Sequence, residues 1–306
     1  MQSQTLNASP AEPSVVQIGP RPLRSESLTR RALRRFRRHR LAMFGLLVLN
    51  VLILLSALAP QISRHSPYDF NLQARAVEPS GEHWLGTDRT GRDLWARVVL
   101  GGRVSLSVGI VAVALSTTLG VAIGSLAGYF GGTLDMLLMR FTDMVMTFPS
   151  LIILITLVAV LEPSIYNSML AIGLLSWPGL ARIVRGQFLS LRQAEFVTAA
   201  HCLGVPAWRI ILLHILPNTL GPIIVAATFG MGSAILLEAG LSFLGLGVQP
   251  PQPSWGNMLR DAASPTTLES MPWMWVPPGV LIIISVLSVN FIGDGLRDAF
   301  DPRSDL

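Results

Sequence analysis

Apolar segments close to 20 residues long recur along this chain and are separated by polar stretches. A helix needs about 20 mostly apolar residues to cross roughly 30 Å of hydrocarbon. The pattern therefore predicts an all-α membrane protein with six transmembrane helices. These predicted spans cover residues 41–59, 104–128, 136–161, 165–184, 219–241 and 278–296.

Composition and charge agree with that prediction. Hydrophobic residues make up 51% of the chain and charged residues only 13%, and all 23 basic side chains are arginines. Nine of them lie within residues 21–40, immediately before the first span. A basic run beside a membrane helix is typical of a cytoplasmic flank that contacts anionic lipid, which makes a nucleic-acid partner the less favoured interpretation.

The distribution of arginine also predicts the orientation of the chain. With the N-terminus in the cytoplasm, 16 arginines fall on the inner side and seven on the outer side. This asymmetry favours a multi-pass protein with both termini in the cytoplasm. The first span begins about 40 residues into the chain after a polar tail, so we interpret it as a retained helix and not as a cleaved signal peptide.

The same pattern divides the chain into four parts. Residues 1–40 form a cytoplasmic basic tail that we expect to be largely disordered, because residues 1–28 carry few large apolar side chains. Within it, residues 28–40 could form an interfacial helix or serve only as an orientation signal. Residues 41–103 hold the first transmembrane helix and an outer loop. The transmembrane core covers residues 104–297, and residues 298–306 form a cytoplasmic tail.

Sequence motifs for catalysis and cofactor binding are absent. Without lysine the chain cannot contain a GxxxxGK[ST] phosphate-binding loop or a Schiff-base lysine. Its single cysteine, Cys202, lies beside His201, with His214 further on, but no acidic or thiol partner has metal-ligand spacing. We therefore expect a chain that is not an enzyme and binds no cofactor or metal of its own.

Ionisable residues within predicted spans are candidates for a functional role, because their burial in lipid is costly. Arg140, Asp143 and Glu238 are the ones we single out. Arg140 and Asp143 are three residues apart on one helix face, which predicts a mutual ion pair, with a role in transport as the alternative. Glu238 lies near the outer end of the fifth span, where it could hydrogen-bond a neighbouring backbone or help to shape a gate.

A stretch between the fourth and fifth predicted spans is too polar to cross a bilayer and too apolar for a solvated loop. We expect a helix over residues 189–203 that ends at Gly204, and a second helix over 205–215 that begins with Pro206 and is closed by Pro217. From the residues alone, two interpretations remain open. The stretch is either a surface on which a partner docks or a hairpin that serves only packing.

The residues of this stretch resemble the EAA loop, EAA-x3-G-x9-I-x-LP, of permease subunits in binding-protein-dependent ABC importers. Ala199, Ala200, Gly204, Leu216 and Pro217 match that pattern. In that family the loop contains a coupling helix that docks on a cytoplasmic ATPase. The sequence departs from the pattern twice, with Thr198 in the place of Glu and His214 in the place of Ile. Glu195, one turn earlier, could substitute for the missing carboxylate.

The resemblance extends over nearly all of the chain after the tail. Segments 83–109, 129–151, 181–187, 214–218, 238–259 and 290–303 are similar to the C-type subunit of dipeptide and oligopeptide permeases. It implies a type I ABC importer permease fold in the bacterial inner membrane. It also implies a B-type permease partner, two ATPase subunits that bind ATP and Mg²⁺, and an extracytoplasmic peptide-binding protein. Nickel, glutathione or another small solute remains an alternative cargo, and an ion-gradient-driven carrier is the alternative from another class.

Overall fold

The computed structural model describes residues 28–300, and within that range the chain is helical, with no β-structure beyond an isolated bridge between Thr87 and Asp93. The predicted disorder of residues 1–27 and the last six residues of the predicted C-terminal tail lie outside the described residues. The helices are α1 (Leu28–Arg38), α2 (Arg40–Ala57), α3 (Ala59–Ile62), α4 (Leu94–Phe130), α5 (Gly132–Thr147), α6 (Ser150–Leu161), α7 (Ile165–Leu191), α8 (Glu195–Cys202), α9 (Ala207–Arg209), the π-helical segment Ile210–Ile215, α10 (Leu216–Phe243), α11 (Trp255–Asp261), α12 (Pro265–Ser270) and α13 (Pro272–Phe300).

Four helical stretches are long and apolar enough to cross a membrane, namely Arg40–Ala57, Leu94–Phe130, Ala207–Phe243 and Pro272–Phe300. They contain the first, second, fifth and sixth predicted spans almost completely. α4 has 37 residues and is therefore about 55 Å long, since an α-helix rises 1.5 Å per residue. Its two ends must lie on opposite sides of a bilayer whose hydrocarbon core is roughly 30 Å thick.

The third predicted span is not one straight helix. α5 and α6 meet at an angle of 83°, as in a broken span or a re-entrant loop. The break lies at Phe148 and Pro149, and Phe148 has extended backbone angles. Proline disfavours the helical conformation for the residue before it, because its ring crowds that residue's backbone. Counting this bent pair as one span gives five candidates, so the total of six spans stays a prediction.

The fourth predicted span lies in α7, which packs along α4 more extensively than any other pair of helices in the described range. The spacing of Gly120, Gly124 and Gly128 predicts such a close approach, and the structure confirms it. A Cβ atom at Gly120 would lie 2.9 Å from the Leu180 Cβ, and one at Gly128 would lie 2.6 Å from the Phe188 Cβ. Glycine is required at these positions because any side chain would push the two helices apart.

The remaining long helices complete the bundle. α10 packs on α4, α7 and α13, and α13 packs on α2. α1 is helical where a basic helix was predicted, and it lies against α13, with His39 Nε2 just after α1 at 3.5 Å from Asp298 Oδ2. The placement of α1 on a lipid surface stays a prediction.

The segment between α3 and α4, residues 63–93, is folded around buried charges. Asp88 accepts hydrogen bonds from Thr90 and from the backbone and side chain of Arg92. Arg92 and Arg97 also reach Asp261 at 3.1 and 3.4 Å, which attaches the segment to α11. Burial alone would raise the pKa of Asp88, but the hydrogen bonds from Thr90 and Arg92 and the charge of Arg92 outweigh it, so the pKa lies below its ordinary value.

Candidate coupling loop and transport path

The loop between α7 and α10 begins with α8, which ends in a left-handed turn at Gly204. Gly204 has a φ of +72°. Its N–H bonds the His201 carbonyl at 3.0 Å, and the N–H of Val205 bonds the Ala200 carbonyl at 3.1 Å. This pair of bonds is the Schellman arrangement that closes a helix. The predicted stop at Gly204 is confirmed, but the preceding helix is interrupted at residues 192–194 and does not run unbroken from residue 189.

The inner face of the loop is fixed to the bundle by an apolar core. Val197 and Ala200 of α8 are buried, and they pack in one cluster with residues of α7, α10 and the π-helical segment. The cluster consists of Leu180, Val184, Phe188, Val197, Ala200, Ile210, Ile211, Ile215 and Ile223. Near the C-terminal end of α4, the Tyr129 hydroxyl lies 3.3 Å from His201 Nε2. The loop therefore moves with α7 and α10.

The outer face of α8 presents apolar side chains that the described residues leave exposed in large part. Phe196, Ala199 and Leu203 follow each other at helical spacing along one stripe. Leu203 is 83% exposed and Phe196 is 42% exposed. We call these three residues the coupling stripe. Ala200 is not part of this stripe, because only 5% of its surface is exposed and it packs toward the bundle.

The structure also places the two positions at which the loop departs from the general pattern. Thr198 is exposed, and its hydroxyl donates only to the Ala194 carbonyl, at 3.4 Å. Glu195 is exposed in the first turn of α8, where the helix dipole favours a carboxylate, and it forms no ion pair within residues 28–300. The His214 Nδ1 atom lies 3.2 Å from the Arg209 carbonyl inside the loop.

Pro217 does not close the second helix of the loop, contrary to the prediction. The helical path continues from Ala207 through the π-helical segment Ile210–Ile215 into α10, which ends at Phe243. A proline inside an α-helix lacks a donor and crowds the carbonyl four residues earlier. The wider π-helical turn relieves this conflict, with the Leu216 N–H bonded to Ile211 five residues back. One continuous helical stretch, Ala207–Phe243, thus joins the loop to α10.

Charged side chains of α5 and α7 pair across the two helices. Asp143 accepts a hydrogen bond from Arg182 of α7 at 2.6 Å, so the predicted pair with Arg140 is wrong. Asp135 accepts two hydrogen bonds from one edge of the Arg185 guanidinium, from Nε to Oδ1 and from Nη2 to Oδ2, the second of them 2.7 Å long. Both pairs join α5 to α7. Arg140 forms no ion pair with any described residue.

Glu238 is fully buried in α10, and its partners are side chains. Ser105 of α4 donates to one carboxylate oxygen at 2.8 Å, and Ser242 donates to the other at 2.7 Å. The alternative of a backbone hydrogen bond is therefore wrong. Because the Ser105 hydroxyl also accepts from the backbone N–H of Trp255 at 3.4 Å, Glu238 lies where α4, α10 and α11 meet. A role in gating stays a prediction.

A cavity of about 310 Å³ opens between α4, α7 and α10. Its lining is mainly apolar, with hydroxyl groups from Ser116, Thr117 and Ser176. The Thr117 hydroxyl has no hydrogen-bond partner among the described residues. The sequence did not indicate this site, because its residues are mostly small or apolar and belong to three helices that are distant in the chain.

The Gly204 turn yields a prediction about the loop itself. Gly204→Ala is expected to destabilise the loop by about 1–2 kcal/mol, because the left-handed conformation is unfavourable for a residue with a Cβ atom. Nothing lies within 4 Å of the Cβ position, so the effect isolates backbone strain. Hydrogen exchange at residues 195–205 should accelerate. Gly186→Ala is the control, because Gly186 lies inside α7 with equally open space, and exchange there should be unchanged or slower. Equal effects at both glycines would contradict the prediction.

Two family models match this chain. Residues 120–305 match the binding-protein-dependent transport system inner membrane component, and residues 27–79 match the N-terminal TM domain of oligopeptide transport permease C. The first match covers more than half of the chain and includes α8, Gly204 and the π-helical segment.

Curated relatives are similar over nearly the whole chain. The dipeptide transport system permease protein DppC of Alkalihalophilus pseudofirmus is 45% identical over 274 residues, which is 90% of this chain and 90% of the relative. The oligopeptide transport system permease protein OppC of Haemophilus influenzae is 44% identical over 283 residues, which is 92% of this chain and 90% of the relative.

A solved structure shares the fold. A chain of the MetNI methionine ABC transporter in an inward-facing conformation superposes with a TM-score of 0.54 at 16% identity, covering 68% of this chain and 97% of that chain. At 16% identity, this similarity is evidence for the shared fold only. The expected type I importer permease architecture is confirmed in this respect.

Proposed function

The chain belongs to the inner membrane components of binding-protein-dependent transport systems, and from this premise we propose that it is one of two permease subunits of an ATP-driven importer of dipeptides or oligopeptides. The relatives' names supply the peptide cargo. The chain's own role is to form part of the translocation path and to transmit movement. Nucleotide hydrolysis belongs to partner subunits.

The observation that carries the proposal is the uncovered coupling stripe on a rigidly held loop. An exposed leucine and phenylalanine on one side of α8 are costly in water unless a partner covers them. The opposite side of α8 is packed into the core that includes α7 and α10. A force applied to the stripe is therefore transferred to two helices that line the cavity. This arrangement suits docking on a cytoplasmic ATPase.

The cavity between α4, α7 and α10 supports a place on the cargo path. Its mainly apolar side chains and few hydroxyl groups set little chemical selectivity, which suits a path for peptides of varied sequence. A second, B-type permease would supply the other wall. Selection of the cargo would then rest with an extracytoplasmic peptide-binding protein.

In this importer two ATPase subunits bind ATP and Mg²⁺, and the assembly lies in the bacterial inner membrane. The coupling loop and the N- and C-termini face the cytoplasm, as the arginine distribution favours. The loop contacts α4 near its C-terminal end at Tyr129, whereas the 63–93 segment precedes the N-terminal end of α4. The 63–93 segment then faces the extracytoplasmic side.

The direct test is uptake by proteoliposomes that contain this chain, its partner permease, the two ATPase subunits and the binding protein. Uptake of a radiolabelled dipeptide or oligopeptide is expected only with ATP enclosed on the ATPase side and with the binding protein present. Nickel and glutathione serve as competing cargoes. Uptake of nickel or glutathione but of no peptide would contradict the peptide assignment. Peptide uptake by this chain alone, driven by an ion gradient without ATP, would contradict the importer assignment.

A further inference from the structure

The 63–93 segment brings together three side chains that are typical ligands of a transition metal. His65, Glu82 and His83 each offer one ligand atom, and these atoms lie within 4.8 Å of one another. The two imidazole rings are 4.6 Å apart between their centroids. A set of two histidines and one carboxylate is common at zinc sites with an open coordination position.

The three ligand atoms need to move only a short distance toward one another to bind one ion. Two ligand atoms that bind one Zn²⁺ at about 2.0–2.2 Å in a tetrahedron lie roughly 3.3–3.6 Å apart, so an approach of about 1 Å completes the site. Glu82 is exposed and free to supply that movement. The backbone of His83 is held in a turn, because its N–H donates to the Ser80 hydroxyl at 3.1 Å and its carbonyl accepts from the Ser80 N–H at 2.8 Å.

A second carboxylate orients His83 as at known metal centres. His83 Nδ1 lies 2.8 Å from Asp93 Oδ2, which leaves the Nε2 atom of His83 for a metal. Ligating histidines commonly donate their other ring N–H to a carboxylate in this way. The other oxygen of Asp93 accepts from the Ala96 N–H at 2.8 Å and caps α4. Asp93 thus links the site to the start of the longest helix.

A small cavity with several polar side chains in its lining lies beside two of these ligands, His65 and Glu82. A cavity of about 10 Å³ is lined by Arg64, His65, Glu82, Trp84, Asp93 and Trp95. This volume suits a single ion or water molecule. Two atoms of these lining residues, His65 Nδ1 and Trp95 Nε1, are buried without a hydrogen-bond partner among the described residues. Buried polar atoms normally have a partner, so these two atoms indicate a polar occupant.

The charges around the cavity favour a cation. Glu82 and Asp93 are acidic, and the one basic group that opposes them is Arg64. Arg64 is exposed, and its guanidinium carbon lies 4.9 Å from the centre of the Trp84 ring. Its charge is therefore shared with an aromatic face and with solvent.

We propose that His65, Glu82 and His83 bind a divalent transition-metal ion, with Zn²⁺ as the representative, and that Asp93 orients His83 for this role. The ion would cross-link residues 65 and 82–83 and hold the 63–93 segment against the start of α4. A water molecule would fill the fourth position, within reach of the Trp95 N–H. This site is separate from the cargo path, and it does not depend on the proposed function.

The test uses the full chain in nanodiscs, purified without a polyhistidine tag and stripped with a chelator. Titration with Zn²⁺ against a chromophoric competitor is expected to show one ion per chain. Co²⁺ is expected to give the visible absorption of a tetrahedral site. The double variant His65→Gln/His83→Gln should lose both signals. The matched control is His201→Gln/His214→Gln, which removes two of the three other histidines and should bind as the parent does.

A third variant tests the orienting carboxylate without disturbing the helix cap. Asp93→Asn keeps a side chain that caps a helix as well as aspartate. It is expected to weaken Zn²⁺ binding by about 10–100-fold, since orienting partners have effects of that size. Circular dichroism of each variant checks that the bundle is folded. No Zn²⁺ binding by the parent chain, or binding that survives in His65→Gln/His83→Gln, would overturn the site. Unchanged affinity in Asp93→Asn would overturn the role of Asp93.

Discussion

Leu203→Asp is expected to abolish ATP-driven uptake while leaving the helical bundle folded. Leu203 is 83% exposed at the end of α8, so the folded chain loses little packing. In the proposed complex the same side chain is covered by the ATPase. Losing its apolar burial and forcing a carboxylate into the interface costs about 3 kcal/mol or more, which corresponds to docking that is over 100-fold weaker. Co-purification of the ATPases and peptide uptake measure the effect.

The matched control for Leu203→Asp is Leu72→Asp. Leu72 is also largely exposed, but it lies in the 63–93 segment, which precedes the opposite end of α4. The same change of chemistry there should leave ATPase co-purification unchanged. Ala200→Asp is unsuitable as a probe, because its carboxylate would be buried in the loop's own core. Stable ATPase binding and normal uptake in Leu203→Asp would refute docking on the coupling stripe.

Asp88→Asn is expected to destabilise the folded permease by about 3–5 kcal/mol, the cost of breaking a buried ion pair by removing one partner. The Asp88, Arg92 and Arg97 side chains are 4%, 10% and 3% exposed. Without the Asp88 charge, the two guanidinium groups share only Asp261, whose side chain is 42% exposed. Thermal unfolding of the purified chain in detergent should show the loss as a lower Tm.

A further variant, Asp88→Ala, separates charge from hydrogen bonding at Asp88. Asp88→Asn keeps an oxygen that can accept from the backbone of Thr90 and Arg92, whereas Asp88→Ala removes this as well, so its Tm should fall further. Asp69→Asn is the control, because Asp69 is exposed in the same segment. The Tm of this variant should lie within about one degree of the parent's Tm. If Asp88→Asn and Asp69→Asn unfolded at the same temperature, the buried network would not stabilise this segment.

Features that depend on near neighbours in the chain were predicted correctly. The length of an apolar run decides whether a helix can cross a bilayer, and four predicted spans coincide with long apolar helices. Gly204 ends α8 because a left-handed residue is a local requirement of the helix end. Gly120, Gly124 and Gly128 of α4 indicate a close helix contact, because residues spaced four apart lie on one face of a helix.

Two predictions that rested on local rules were wrong or incomplete, and both concern a proline. Pro217 was expected to close a helix, but a π-helical turn accommodates it and α10 continues. The third predicted span is broken at Pro149 although its apolar run is long enough to cross. In both cases proline changes the local geometry, and the surrounding helices decide whether the chain bends there or continues.

The sequence by itself determined the membrane-spanning, all-helical class and the position of the coupling loop, because apolar length and turn chemistry are properties of contiguous residues. Only the tertiary structure decided which side chains meet. Asp143 pairs with Arg182 across 39 residues, and Glu238 accepts from Ser105 across 133. His65 likewise meets His83 only when the 63–93 segment folds. Such contacts depend on how the helices pack, and no pattern within a single helix contains that information.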